Sequence, residues 1–109
     1  MKKTVPFEFF GENQTIYFDV LRIAELEDRM KESIYEIMNK SGGMKLAVAG
    51  LTIGLRHHYP KITPAFVIEK MEEHFEHGGT LEELVLPVAK AISESGIFGK
   101  KDEAKEKNA

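Results

Sequence analysis

The sequence predicts an α+β domain, mostly α, in which an N-terminal β-hairpin is followed by about four to five helices packed around one buried central helix. Three observations lead there. Apolar residues alternate every second position at the start of the chain, and the spacing changes to that of a helix from Val20 onward. The stretch after Gly43 is apolar on nearly every side. At 109 residues, the chain has room for one core and not for two. We therefore expect a single globular domain over residues 1–98, with residues 99–109 a charged, flexible tail devoid of large apolar side chains.

In the hairpin, Val5, Phe7 and Phe9 alternate with Pro6 and Glu8, and Ile16 and Phe18 alternate with Tyr17 and Asp19. That is the pattern of strands with one buried face. Gly11-Glu-Asn-Gln14 between them supplies turn formers, Gly11 and Asn13 being suited to positive φ. An isolated hairpin is marginal in water, so its aromatic face must lie on the rest of the chain or on a second copy.

A first helix follows, with Leu21, Ala24, Leu26 and Met30 expected on its apolar face; Ile34, Tyr35, Ile37 and Met38 continue at helical spacing up to Lys40, and Gly42-Gly43 is a natural stop. The central helix, read as Met44 to His58, is apolar nearly all round its axis and must be buried on every side. Gly50 and Gly54 lie on one face of it, where they cost helix stability and allow a neighbouring backbone to approach closely. Pro60 ends the helix. Thr63-Pro64 restarts the chain as N-cap and first helical residue, with Phe66, Val67, Met71 and Phe75 as the apolar stripe. Thr80-Leu-Glu-Glu83 is a capping box opening a last helix, buried through Leu81, Leu84, Val85, Val88, Ala91 and Ile92; Pro87 should kink it or split off its first turn, and Gly96 ends it.

Composition removes several function classes. Fifteen Lys and Arg against eighteen Asp and Glu give a net charge of −3, so the chain lacks the general basic field for nucleic acid or an anionic membrane. It has no cysteine, hence no disulfide, thiolate metal site or thiol nucleophile. The start carries two lysines, but Pro6 and Glu8 interrupt what would be a signal peptide's apolar stretch. The run Leu46 to Leu55 is about half of the ~20 residues needed to span a bilayer. A cytoplasmic protein is the simplest expectation.

The histidines form two pairs, His57-His58 and His74-x-x-His77, each read as lying in the last turn of a helix, where an imidazole interacts well with exposed carbonyls and the dipole. His74 and His77 share a face, and with His57 folded back they would approximate an open zinc site, which defines the alternative of a small metal-dependent hydrolase. No His-Glu-x-x-His motif, nucleophile elbow or phosphate loop accompanies them. The carboxylates sit at polar helical positions that a solvated face accounts for. We therefore expect no catalytic residues, no metal and no cofactor.

What remains is surface for a partner. Hairpin phenylalanines, an all-apolar helix and five methionines give more apolar side chain than one small domain readily covers. Phe7, Phe9, Phe18, His57, His58, Tyr59 and Phe66 are the residues expected to meet another chain, by helix-in-groove recognition at the hairpin and central helix.

Two segments carry a resemblance: Phe18-Asp-Val-Leu-Arg-Ile-Ala-Glu-Leu-Glu27, and Gly54-Leu-Arg-His-His-Tyr-Pro60 continuing into Ile62-Thr-Pro-Ala-Phe-Val-Ile-Glu69. Their order and separation are similar to those in small proteins of the tail modules of long-tailed bacteriophages, prophages and gene-transfer agents, with Ile62 standing where those have Leu. The resemblance spans about Thr15 to Phe98. It implies a tail assembly chaperone: a non-catalytic, self-associating protein of the host bacterial cytoplasm that coats the helical tape-measure protein and recruits tail-tube subunits. In many such phages a longer form arises by translational frameshifting near the end of the short frame, and the charged stretch Lys100 to Ala109 would suit such a junction. A permanent tail or connector component is the other role open to such a protein.

Overall fold

In the computed structural model, which describes residues 3–40 and 42–99, a two-stranded antiparallel hairpin is followed by five helices. The strands are β1 (Thr4–Pro6) and β2 (Thr15–Tyr17), paired so that Val5 lies opposite Ile16. Both side chains are buried, and Phe7 extends the ladder by donating its N–H to the Gln14 carbonyl at 2.8 Å. The expected alternation stops after Phe7: Phe9 is 46% exposed and Phe10 is buried instead, because the chain bends there into the turn. Asn13 takes the positive φ (60°), braced by its N–H donating to Glu8 Oε2 at 2.8 Å; Gly11 does not.

Helix α1 (Val20–Met30) is capped by Asp19, whose carboxylate accepts the Arg22 N–H at 2.9 Å. Its buried residues are Ile23 and Leu26, with Met30 half-buried in line with them. Leu21, expected on the inner face, is 67% exposed, and Ala24 is exposed too. At 3.6 residues per turn, Leu21 and Ile23 stand on nearly opposite sides, and the face that meets the core is the one carrying the β-branched residue.

The short α2 (Ile34–Asn39) opens on a capping box between Ser33 and Glu36 and buries Ile34 and Ile37, leaving Tyr35 out. Gly42 takes φ 80° before α3 (Met44–Gly54). This third helix contacts α1, α4, α5 and β2 and is the centre of the core. Leu46, Ala47 and every residue from Gly50 to Leu55 are buried. The buried Thr52 hydroxyl donates to the Val48 carbonyl at 2.6 Å, so no polar atom there is orphaned.

Two expectations about α3 need correction. It is not covered on every side, because Met44 is 53% exposed and Val48 and Ala49 are only half-buried. Its glycines admit side chains rather than a backbone. A Cβ on Gly50 would stand 2.6 Å from Val88 Cγ1, and one on Gly54 would stand 2.6 Å from Ile16 Cγ2 and 3.0 Å from Phe18 Cε2. The helix also stops at Gly54 rather than near His58, and tightened turns follow, with His58 N–H donating to the Leu55 carbonyl at 2.9 Å.

Helices α4 (Pro64–Glu76) and α5 (Leu81–Glu94) begin as the sequence predicts, on Thr63-Pro64 and on the Thr80–Glu83 capping box. Gly78 and Gly96, at φ 87° and 90°, follow their ends. Helix α5 runs unbroken through Pro87, so no first turn splits off. It packs on α3 and on both strands, closing the core between hairpin and helices. No described helix is long and apolar enough to cross a membrane. The expected tail from residue 100 onward lies outside the described residues.

Arg56, just past α3, grips Glu25 on α1 with two hydrogen bonds of 2.9 Å. These bonds hold the Glu25 carboxyl below its ordinary value against the opposing effect of burial. A depressed folded-state value means that the pair stabilises the protein above the carboxylate's unfolded-state range, and that this contribution is lost as pH falls through the lowered value. Because both side chains remain a third exposed, Glu25→Gln should cost only about 0.5–1 kcal/mol at neutral pH. In urea titrations across pH, its deficit relative to the unmodified protein should close on acidification; a deficit that persists in acid contradicts this assignment.

Candidate functional site

The turns after α3 turn the side chains of His57, His58 and Tyr59 back toward the hairpin. Thr15 on β2 donates its backbone N–H to His58 Nε2 at 2.9 Å, and its hydroxyl lies 3.2 Å from the same nitrogen and 3.0 Å from His57 Nε2. The two imidazoles lie against each other with ring centroids 4.2 Å apart. Because an N–H points at His58 Nε2, that nitrogen accepts, and the ring is the neutral tautomer with its proton on Nδ1. These two histidines therefore bind the hairpin to the end of α3 through Thr15, a long-range contact beyond the helix-end role expected from the sequence.

Tyr59 completes the attachment, its hydroxyl accepting from Gln14 Nε2 at 2.6 Å. The other side of its ring meets Phe66 of α4, with centroids 4.9 Å apart. Together with His58, Pro60, Lys61 and Ile62 these rings line an open, predominantly apolar cleft of about 450 Å³. Tyr59 fixes one wall through Gln14, and the Thr63 cap, accepting from the Phe66 N–H at 3.2 Å, fixes the start of the other.

Of the residues expected to meet a partner, the structure thus gathers His58, Tyr59 and Phe66 around one cleft, with His57 exposed beside them. Phe9 stands apart, its ring edge against His74 at a 5.0 Å centroid distance. Phe7 and Phe18 are each only 1% exposed and belong to the core, so they present no surface. Alternation in the sequence marks a face as buried without saying whether the chain's own helices bury it.

The second histidine pair serves structure as well. His74 Nε2 lies 3.2 Å from the Thr80 carbonyl and 3.1 Å from Glu83 Oε1, joining the end of α4 to the start of α5. The Thr80 N–H, and then His74, hold the Glu83 carboxyl below its ordinary value. His77 turns to the Glu73 carbonyl, with Nδ1 2.8 Å away. His57 is engaged with Thr15, so His57, His74 and His77 are not brought together, and among the described residues no group of three or more His, Asp or Glu is placed to hold a metal ion.

A second cleft, of about 560 Å³, was not anticipated from the sequence. It lies between the end of α1 and the start of α3, with Met30, Met44, Val48 and Ala49 beside Arg29, Lys31 and Lys45. Its signal was present in Met44-Lys45 at the head of an otherwise apolar helix. Comparison of the chain with protein-family models, with curated proteins and with solved structures finds no match.

The tautomer of His58 can be observed directly. Long-range nitrogen–proton NMR correlations at neutral pH should show an unprotonated Nε2, and His58→Ala should cost about 1 kcal/mol by leaving the Thr15 N–H without its acceptor. A proton on Nε2 refutes the assignment.

Proposed function

We propose that this chain is a non-catalytic tail assembly chaperone of a long-tailed bacteriophage or prophage. It acts in the host bacterial cytoplasm by binding the helical tape-measure protein and helping to recruit tail-tube subunits. The observation that carries this reading is the cleft of Tyr59, Pro60, Ile62 and Phe66. It falls within one of the two segments that resemble tail-module proteins, and its walls are preformed by the Gln14 and Thr63 hydrogen bonds. A preformed, largely apolar groove suits an amphipathic helix, which the long helical tape-measure chain offers repeatedly. Self-association is supported by the outlying apolar side chains Val20, Leu21, Tyr35, Ile68 and Leu86, all substantially exposed.

Co-expression with a tape-measure protein of a long-tailed phage tests the reading. The two should co-purify, and Phe66→Ser should reduce recovery of the partner roughly tenfold, as loss of an aromatic anchor does, while circular dichroism shows the helices intact. Absence of co-purification with the unmodified chain overturns the proposal. So does recovery of the protein in stoichiometric amount from finished particles, since that marks a permanent tail component.

A further inference from the structure

We infer that the cleft between α1 and α3 is a docking site for an acidic amphipathic helix of another protein chain. Its floor is apolar and adaptable: Met30 and Met44 contribute flexible thioethers and Val48 and Ala49 the base. Its rim is basic. Lys45 has no carboxylate within ion-pairing distance among the described residues, Arg29 acts on Glu25 only from beyond that distance, Arg56 already holding that carboxylate, and Lys31 meets Asp28 only at 3.8 Å, with both side chains more than four-fifths exposed. Lys40, in the adjoining hollow lined by Met30, Met44 and Lys45, is taken up by Glu32. A chain of net charge −3 thus concentrates three cations around an apolar hollow.

Helix α3 begins at this hollow. Gly43 at its N-cap provides no side-chain hydrogen bond and its first turn holds no acidic residue, whereas Asp19, Ser33, Thr63 and Thr80 cap the other four helices. Its positive dipole end meets the hollow opposite the negative end of α1, so the three cations carry the net field of the rim. Charge complementarity thus calls for carboxylates flanking an apolar row, and the trough between two helices accepts such a row as a helix presents it. The chain's own last residues, Lys100 to Ala109, contain no large apolar side chain to fill it. Nucleic acid is disfavoured, because the lining has no aromatic ring for a base to stack on.

The probe is a fluorescein-labelled synthetic helix with leucine at every third and fourth position and glutamate elsewhere, compared with the same peptide carrying lysine for glutamate. Fluorescence anisotropy with the full chain should show saturable binding of the acidic peptide, weakened by salt and weakened about tenfold each by Lys45→Glu and Arg29→Glu. Val48→Asp should weaken it as well, and Lys45→Gln serves as a milder variant should reversal disturb the fold. Equal binding of the two peptides, or indifference to these substitutions, overturns the inference. Tighter binding to a DNA oligonucleotide or to phosphatidylserine vesicles, or self-association abolished by Lys45→Glu, overturns it in favour of that occupant.

Discussion

Helix α3 has almost no polar side, and the remainder of the fold is an arrangement for covering it. Removing its aliphatic side chains from water is worth far more than any single polar contact in the molecule. Coverage is closest where α3 is thinnest. Val88 of α5 sits on Gly50, and Ile16 and Phe18 of the hairpin sit on Gly54. The hairpin, marginal by itself, is thereby joined to the helices by packing. His58 and Tyr59 add hydrogen bonds to Thr15 and Gln14, so that covering α3 and orienting its exit turn are one event.

The same constraint accounts for the surfaces. A chain of this size covers the second half of α3 and leaves Met44, Val48 and Ala49 at its head only partly shielded. At the other end, the exit turn carries Tyr59 across to Phe66, and the space between them becomes the aromatic cleft. The two hollows thus lie at opposite ends of α3, one beside its partly shielded head and one past its exit turn.

Much of this was legible in the sequence where local chemistry decides. Thr63-Pro64, the Thr80–Glu83 box and Gly96 mark helix ends through their own backbone preferences, and the structure places the ends there within a residue or two. Where long-range packing decides, the sequence was silent or misleading. Nothing local distinguishes Leu21 from Ile23 as the inward residue, since both are apolar and the choice depends on where α3 lies. Nor does period-two alternation distinguish a core phenylalanine, as Phe7 and Phe18 prove to be, from one offered to a partner. Helix-end grammar, which ranks the nearest carbonyl first, holds for His77 on the Glu73 carbonyl, but it misses Thr15, more than forty residues from His58 in sequence, which supplies that ring's contact in the fold. The α1–α3 cleft depends on two segments converging, of which Met44-Lys45 marks only one.

Replacing Gly50 with alanine measures the packing of α3 most directly, because the sign of the effect separates the possibilities. In a loosely covered helix, alanine raises stability by about 1 kcal/mol through its better helical propensity. Against a stiff, β-branched Val88 at 2.6 Å, the added methyl forces a shift costing about 1–3 kcal/mol. Urea denaturation of Gly50→Ala should therefore show a net loss of stability; an unchanged or raised midpoint would contradict a core built by closing onto α3.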